Sequence, residues 1–221
     1  MAIVRLFLLL LVTACAPLSQ HPTNRTDKQS QADARITLGM EYLQLGQLDR
    51  AGQNFEAALA HAPNYYRAQL AQAIYLQHAG LADLAGQRYQ TLLEQHSRQP
   101  EVLLSYATFL CQQQQFQQAH AWFEKSLRHA LASQRVANYQ NAALCAIKAE
   151  NHQQAGTYLV HALEYQPNRL DLRLHLAQVA INTGDTEQAA AQLTIVESHH
   201  GASQATQALW QEIHSLERAD R

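Results

Sequence analysis

The 221-residue sequence has few of the residues that disulfide-rich, collagen-like or sheet proteins require, with 3 cysteines, 8 glycines and 5 prolines. Three cysteines are too few to staple a small fold, and scarce turn residues favour long helices over many short strands. Positive charge is not in excess either, because 16 Lys and Arg face 18 Asp and Glu for a formal net charge of −2. That balance excludes a basic nucleic-acid-binding protein. The 30 glutamines among otherwise alanine- and leucine-rich segments predict an all-α protein.

Long hydrophobic runs are also missing. The longest, Leu6 to Val12, is far shorter than the roughly 18 to 20 residues that cross a bilayer. It follows Arg5 and precedes small residues, which is the layout of a secretory signal peptide. The segment Val12-Thr13-Ala14-Cys15 resembles the lipobox of bacterial lipoproteins, in which the cysteine is lipidated and becomes the first residue. An ordinary signal peptide with an incidental cysteine is the alternative.

The lipoprotein interpretation predicts removal of residues 1–14 and two or more acyl chains on Cys15, enough for stable anchoring. By resemblance to sorted lipoproteins, Ala16 in place of an aspartate implies the outer membrane, with the protein facing the periplasm. The following stretch contains Pro17 and Pro22 without helical periodicity. Residues 15–31 are therefore expected to form a flexible, lipidated tether.

From about Ala32 onward, an alanine followed four residues later by an aromatic residue or leucine marks each copy of a repeat. These alanines are Ala51, Ala85, Ala119, Ala155 and Ala189. Their sequence numbers differ successively by 34, 34, 36 and 34. Tetratricopeptide repeats, each of which is a helix-turn-helix unit, have the same period of about 34 residues. The first copy carries most of the consensus, namely Leu38, Gly39, Tyr42, Gly46, Ala51, Phe55, Ala58 and Pro63.

The sequence thus predicts an all-α, right-handed superhelical solenoid of about five repeats with a C-terminal capping helix. The expected repeats are 32–65, 66–99, 100–135, 136–169 and 170–201, followed by a capping helix and tail over 202–221. The two extra residues of the third period fall near His129 to Arg135 and are expected to lengthen a helix end or a loop. A generic helical bundle with alanine-rich seams is the alternative.

A repeat stack usually holds a peptide or a partner helix in the groove lined by its first helices. The fifth, ninth and twelfth positions of each repeat are expected to face that groove, and they are mostly apolar in the N-terminal half. The candidate partner-binding residues are Ile36, Met40, Leu43, Leu70, Ile74 and Leu104. The alternative is a packed core, which an apolar stripe at helical spacing forms more often than it forms a binding site.

Cys111 and Cys145 lie one repeat period apart in the sequence, on neighbouring first helices. Facing positions on stacked helices bring Cα atoms within the roughly 4.4 to 6.8 Å that a disulfide needs, so a bond between them is a candidate, with two buried thiols as the alternative. The 12 histidines, including the pair His199 and His200, lack the spacing of a metal site and are expected to be solvated. No catalytic motif is present, so we expect no enzyme, cofactor or small-molecule substrate.

Together the lipobox, tether and repeats resemble the PilF/PilW family of type IV pilus biogenesis and stability lipoproteins. The segment Leu104-Ser105-Tyr106-Ala107-Thr108-Phe109-Leu110-Cys111 looks like the family's Asn-Tyr-Gly-x-Phe-Leu-Cys, and Asn141-Ala142-Ala143-Leu144-Cys145 looks like its Asn-x-Gly-x-Cys. Ser105 and Ala107 stand where the family usually has Asn and Gly, and Gln112 to Gln115 stand where a turn glycine is common.

The resemblance implies a pilotin-like scaffold, anchored in the outer membrane, that helps the pilus secretin to localise and multimerise. Its expected partners are a secretin subunit and, through the lipid, the membrane, with no nucleic acid. Twitching motility would depend on it. The alternative is a lipoprotein scaffold for outer-membrane protein assembly or for envelope and peptidoglycan maintenance, built on the same repeats.

Overall fold

The computed structural model describes residues 25–219, and over this range the chain forms eleven α-helices and no strand. The helices are α1 (Arg25–Gln44), α2 (Leu48–His61), α3 (Tyr66–His78), α4 (Ala82–Gln95), α5 (Pro100–Gln112), α6 (Phe116–His129), α7 (Ala132–Lys148), α8 (His152–Tyr165), α9 (Leu170–Asn182), α10 (Thr186–His200) and α11 (Gln204–Ala219). The first ten pair in sequence order as five helix-turn-helix repeats, and α11 follows the last pair. The solenoid predicted from the repeat period is confirmed.

Each helix pair is joined by a three-residue turn whose central residue has a positive φ. In the first repeat Gly46 has φ 69°, and the backbone N–H of Gln47 donates to the Tyr42 carbonyl at 2.8 Å. Glycine adopts this left-handed conformation at little cost, and Gly80 and Gly184 serve in two other turns. In the third and fourth repeats the same place is taken by Gln114, with φ 61°, and Glu150, with φ 57°.

The repeats pack through small residues. The five alanines that mark the period are fully buried, and the large residues four positions further on, among them Phe55, Tyr89 and Phe123, fill the space between helices. At the first repeat the approach is so close that a β-carbon on Gly39 would overlap the Phe55 ring. Sequence period, helix pairing and core therefore have one cause, the alternation of small and large residues at fixed places.

Two boundaries differ from the prediction. The predicted tether extends to residue 31, but α1 begins at Arg25, so residues 25–31 are helical. The side chains of residues 26–31 are polar and mostly exposed, so they show no apolar periodicity by which a helix could be predicted. Asp27 lies in the first turn, where a negative charge stabilises the helix, and its carboxylate accepts a hydrogen bond from Gln31 at 3.5 Å.

The fourth repeat begins at Ala132, not at residue 136. Its first helix has 17 residues, four more than α3, α5 and α9, while the loop before it is two residues shorter than the others. The two extra residues of the third period thus extend a helix end, which is one of the two expected alternatives. The Gln134 side chain accepts a hydrogen bond from the Leu131 N–H at 3.0 Å, which stabilises the early start.

The last helix covers the end of the stack. Leu209 and Ile213 of α11 are buried against Ala177, Leu193 and neighbouring residues of α9 and α10, with Trp210 and Leu216 half-buried beside them. A final repeat would otherwise expose its apolar face, so α11 is the predicted cap. No helix within residues 25–219 is long and apolar enough to cross a membrane.

Candidate functional site

The inner face of the solenoid is formed by the first helix of each repeat. Contacts run directly from α1 to α3, from α3 to α5 and from α5 to α7, whereas successive second helices have no comparable contact. Closer spacing on one side curves a helical stack toward that side. The first helices therefore line the concave face on which a partner chain is expected to bind.

The structure divides the six candidate groove residues into two groups. Ile36, Leu43 and Leu70 expose less than a tenth of their surface and belong to the hydrophobic core. This burial corrects the prediction that these three residues bind a partner. Their side chains fill the gap between repeats and are not free to contact another protein. Met40, Ile74 and Leu104 are half-buried against the same core and keep exposed surface.

Charged residues outside the predicted set complete this face. The guanidinium of Arg67 lies 3.0 Å from a carboxylate oxygen of Asp33 and 3.8 Å from one of Glu101. The three residues occupy the same place in three successive first helices, one repeat period apart in the sequence. That spacing is the signal by which they could have been found. We call them the charge ladder.

Two tyrosines brace the charge ladder from the start of α3. The Tyr65 hydroxyl donates to Asp33 at 3.1 Å, and the Tyr66 hydroxyl donates to Glu101 at 2.8 Å. Burial, reinforced by this hydrogen bond to a carboxylate, raises the pKa of Tyr66. The ladder side chains remain more than a third exposed. They therefore contribute little to stability, at most about 1 kcal/mol a pair, but they present alternating charge along the face.

Cys111 and Cys145 meet at the interface of the third and fourth repeats. Their Cα atoms are 5.8 Å apart and their sulfurs are bonded at 2.11 Å. Both side chains are buried in the core. The bridge ties two first helices together across the place where the repeat period is irregular.

Of the remaining candidates, Cys15 and the predicted signal peptide 1–14 lie outside the described residues. His199 and His200 are exposed at the end of α10. Within residues 25–219, no three His, Cys, Asp or Glu side chains are arranged to hold a metal ion. The features that this part of the chain offers are surfaces, which suit recognition of another protein.

Comparison with known proteins agrees with a fold that recognises other proteins. Two family models, both described as tetratricopeptide repeat, match residues 36–100 and 146–209. The chain belongs to the tetratricopeptide-repeat proteins, whose stacked helices typically bind other proteins and do not catalyse reactions.

Individual relatives give more specific information than the two family models. An uncharacterized protein of Haemophilus influenzae is 33% identical over 138 residues, covering 62% of this chain and 75% of that protein. The type IV pilus assembly protein PilF of Pseudomonas aeruginosa is 28% identical over 170 residues, covering 76% of this chain and 68% of PilF.

Solved structures match over similar lengths. The P. aeruginosa PilF structure has a TM-score of 0.70 at 24% identity and covers 87% of both chains. The structure of PilW, described as a widely conserved type IV pilus biogenesis factor, has a TM-score of 0.67 at 21% identity, covering 85% of this chain and 91% of PilW. At these identities the structural matches establish a shared fold.

Proposed function

We propose that the protein acts in type IV pilus biogenesis as a pilotin-like lipoprotein of the outer membrane. It binds a subunit of the pilus secretin, brings it to the outer membrane and promotes its multimerisation. The observation that carries this proposal is the similarity to PilF, which extends over about three quarters of this chain and over 68% of PilF. The protein acts by binding alone.

Anchoring follows from Cys15 at the end of the N-terminal apolar run. A scaffold held at a membrane raises the local concentration of whatever it binds, so subunits that it captures meet more often. Assembly of a ring from captured subunits then needs no catalytic residue. Replacement of Cys15 should separate the two tasks, because binding persists while placement fails.

Binding is assigned to the inner face of the first three repeats. There the half-exposed Met40, Ile74 and Leu104 lie on the same helices as the charge ladder. Apolar side chains flanked by alternating charge suit an amphipathic segment of a partner. We therefore assign the secretin contact to α1, α3 and α5.

The test is a deletion strain of the native host complemented with wild type, Cys15→Ser or the double variant Met40→Gln/Leu104→Gln. Secretin multimers are scored on an unboiled gel after separation of inner and outer membranes. Deletion is expected to abolish multimers, Cys15→Ser to leave the secretin in the inner membrane, and the double variant to weaken multimer formation. Glutamine nearly preserves side-chain volume, and circular dichroism of the purified double variant checks that the fold is kept.

Leu84→Gln is the matched control, since Leu84 is an exposed leucine on α4, a second helix. It is expected to support normal multimers. Unchanged secretin multimers in the deletion strain would refute the proposed role in pilus biogenesis as a whole. If the repeats instead copurified with outer-membrane assembly or peptidoglycan factors in that strain, the protein would be a scaffold for that machinery.

A further inference from the structure

The fourth repeat has alanine at two places of which at least one carries a large side chain in every other repeat. In the register fixed by the buried alanines, Ala142 and Ala146 stand where the first repeat has Leu38 and Tyr42. Each other repeat keeps at least one leucine or tyrosine at these two places, namely Leu76, Tyr106, Leu110 and Leu176. Two truncated side chains on one helix face leave space that the solenoid does not fill.

That space is a cavity of about 440 Å³ between α6, α7 and α8. Its floor is formed by Ala142 and Ala146 of α7 and by Ala149 of the following turn, and Phe116 and Phe123 of α6 form one wall. The opposite wall is Tyr158 of α8. Most of the surface of this end is apolar, although Gln117 and His120 also line it, and it reaches Cys145 of the disulfide.

The cavity continues along the same two helices into a second, basic cleft of about 680 Å³, and the two share Asn151, Gln154 and Tyr158 as lining residues. We call the combined space the α6–α8 groove. Arg128 and Arg135 line its second end. Within residues 25–219 neither arginine forms an ion pair with a carboxylate, and the Arg135 guanidinium sits 5.9 Å from the Tyr165 ring centroid.

The carboxylate in the groove is already engaged. Glu124 accepts a hydrogen bond from the Tyr158 hydroxyl at 2.8 Å, and that hydroxyl also lies 2.6 Å from His120 Nδ1. These contacts hold α6 and α8 at a fixed distance. The net charge of the basic end is therefore positive, with two guanidinium groups facing one bound carboxylate.

The dimensions of the groove indicate its occupant. Phe116 and Arg128, near the two ends of α6, are separated by about 18 Å along the helix axis. An extended chain advances about 3.3 Å per residue, so the groove accommodates about five residues. Gln153 lines its middle with an exposed carboxamide that matches peptide N–H and C=O groups, whereas Asn151 already caps α8 and Gln154 contacts His120.

We propose that the α6–α8 groove binds an extended peptide segment of a partner protein. An apolar side chain of the peptide enters the alanine-floored end, and an acidic side chain or terminal carboxylate pairs with Arg128 and Arg135. An acyl chain with an anionic head suits the groove less well, because the polar side chains of Gln117, His120 and Gln154 interrupt the apolar lining along its path. The groove opens between second helices, so it is separate from the inner face and does not depend on the pilus role.

The probe is an array of immobilised pentapeptides, randomised position by position and incubated with the purified full chain. Selection of an aromatic or aliphatic residue at one end and Asp, Glu or a free carboxylate at the other is expected. Arg128→Gln/Arg135→Gln should weaken binding of selected peptides about tenfold, since one charge-assisted hydrogen bond contributes about that factor. Arg88→Gln/Arg98→Gln, which removes two exposed arginines elsewhere, should leave binding unchanged.

A second variant tests the cavity. Ala142→Leu/Ala146→Tyr installs the residues of the first repeat and should end the preference for an apolar residue while circular dichroism and cooperative unfolding stay intact. Absence of acidic residues among the selected peptides, or wild-type binding by both groove variants, would overturn the proposal. Selection of no peptide, together with direct binding of sodium oleate that the filled variant loses, would also overturn it and make the groove a fatty-acid site.

Discussion

Phe55 occupies the space that a β-carbon on Gly39 would need. The two residues belong to the antiparallel helices α1 and α2, and a built Cβ at Gly39 overlaps the edge of the phenylalanine ring, whose Cδ1 atom is 2.8 Å from it. Phe55 itself is almost fully buried, so its ring has little room to yield. The helix crossing of the first repeat therefore depends on glycine at this place.

Gly39→Ala is expected to lower the free energy of unfolding by about 2 kcal/mol, because overpacking a tight core typically costs about 1 to 3 kcal/mol. Gly86→Ala is the control, since a β-carbon there would meet Phe109 at an ordinary 3.6 Å. In a helix this change gains about 0.5 to 1 kcal/mol. Urea unfolding of the two variants should thus shift in opposite directions. Equal shifts would contradict the proposed packing.

Two turns have glutamine or glutamate in the left-handed conformation, and replacing either residue with glycine is expected to stabilise the protein. Gln114→Gly and Glu150→Gly should each raise the free energy of unfolding by about 1 kcal/mol, because a non-glycine residue is destabilised by about that much in this conformation. Gly80→Ala should have the reverse sign. Thermal unfolding followed by circular dichroism measures all three. A drop in the melting temperature on Gln114→Gly would show that the turn adopts another conformation.

The disulfide predicts a large loss on removal. Cys111→Ala/Cys145→Ala should lower the free energy of unfolding by about 3 to 4 kcal/mol, the chain-entropy value for a span of this length. Protein purified without reductant should have no free thiol at these two positions when denatured and titrated. Two titratable thiols, or equal stability with and without reductant, would contradict the bond.

Buried tyrosines predict a stability that falls at high pH. Burial raises the pKa of Tyr89, and burial together with the hydrogen bond to Glu124 raises the pKa of Tyr158. In the unfolded chain tyrosines ionise near pH 10, at about their ordinary pKa, so above that pH only the unfolded state releases protons. The contribution of these two tyrosines to the free energy of unfolding is therefore complete below about pH 10 and is lost as the pH rises further.

Urea unfolding at several values from about pH 8 upward should show this fall, and Tyr89→Phe should make it shallower. The variant also loses the hydrogen bond from Tyr89 to Gln77, so its stability at neutral pH is lower while its pH slope is smaller. Tyr165→Phe, at an exposed tyrosine, is the matched control. Identical slopes for wild type and Tyr89→Phe would refute the argument.

The fold was predictable because the same pattern of small and large residues recurs in five repeats. Alanine at Ala51 and its counterparts, followed by a large residue, indicated the period, the helix pairs and most of the core. Two predicted boundaries were wrong, and both lie in segments where this pattern is absent. Residues 26–31 of α1 are polar and mostly exposed, and the early start of α7 depends on the cap made by Gln134.

The binding face was only partly predictable. Register alone places Ile36 and Met40 on the same side of α1, but it does not say how far α3 covers each of them. Burial separates the two, since Ile36 is core and Met40 keeps exposed surface. The charge ladder and the α6–α8 groove needed a comparison of equivalent positions between repeats, which shows charges aligned at the repeat period and large residues replaced by alanine.

The capping helix α11 also determines the chemistry of the C-terminal end of the stack. Repeat modules associate end to end when the last one presents an apolar face that another copy continues, and such head-to-tail contacts grow into filaments. Here Leu209 and Ile213 occupy that face, while Gln211, His214 and Arg218 of the same helix are exposed to water. Within the described residues, the last repeat therefore offers a second copy no open apolar face on which the stack of helices could continue.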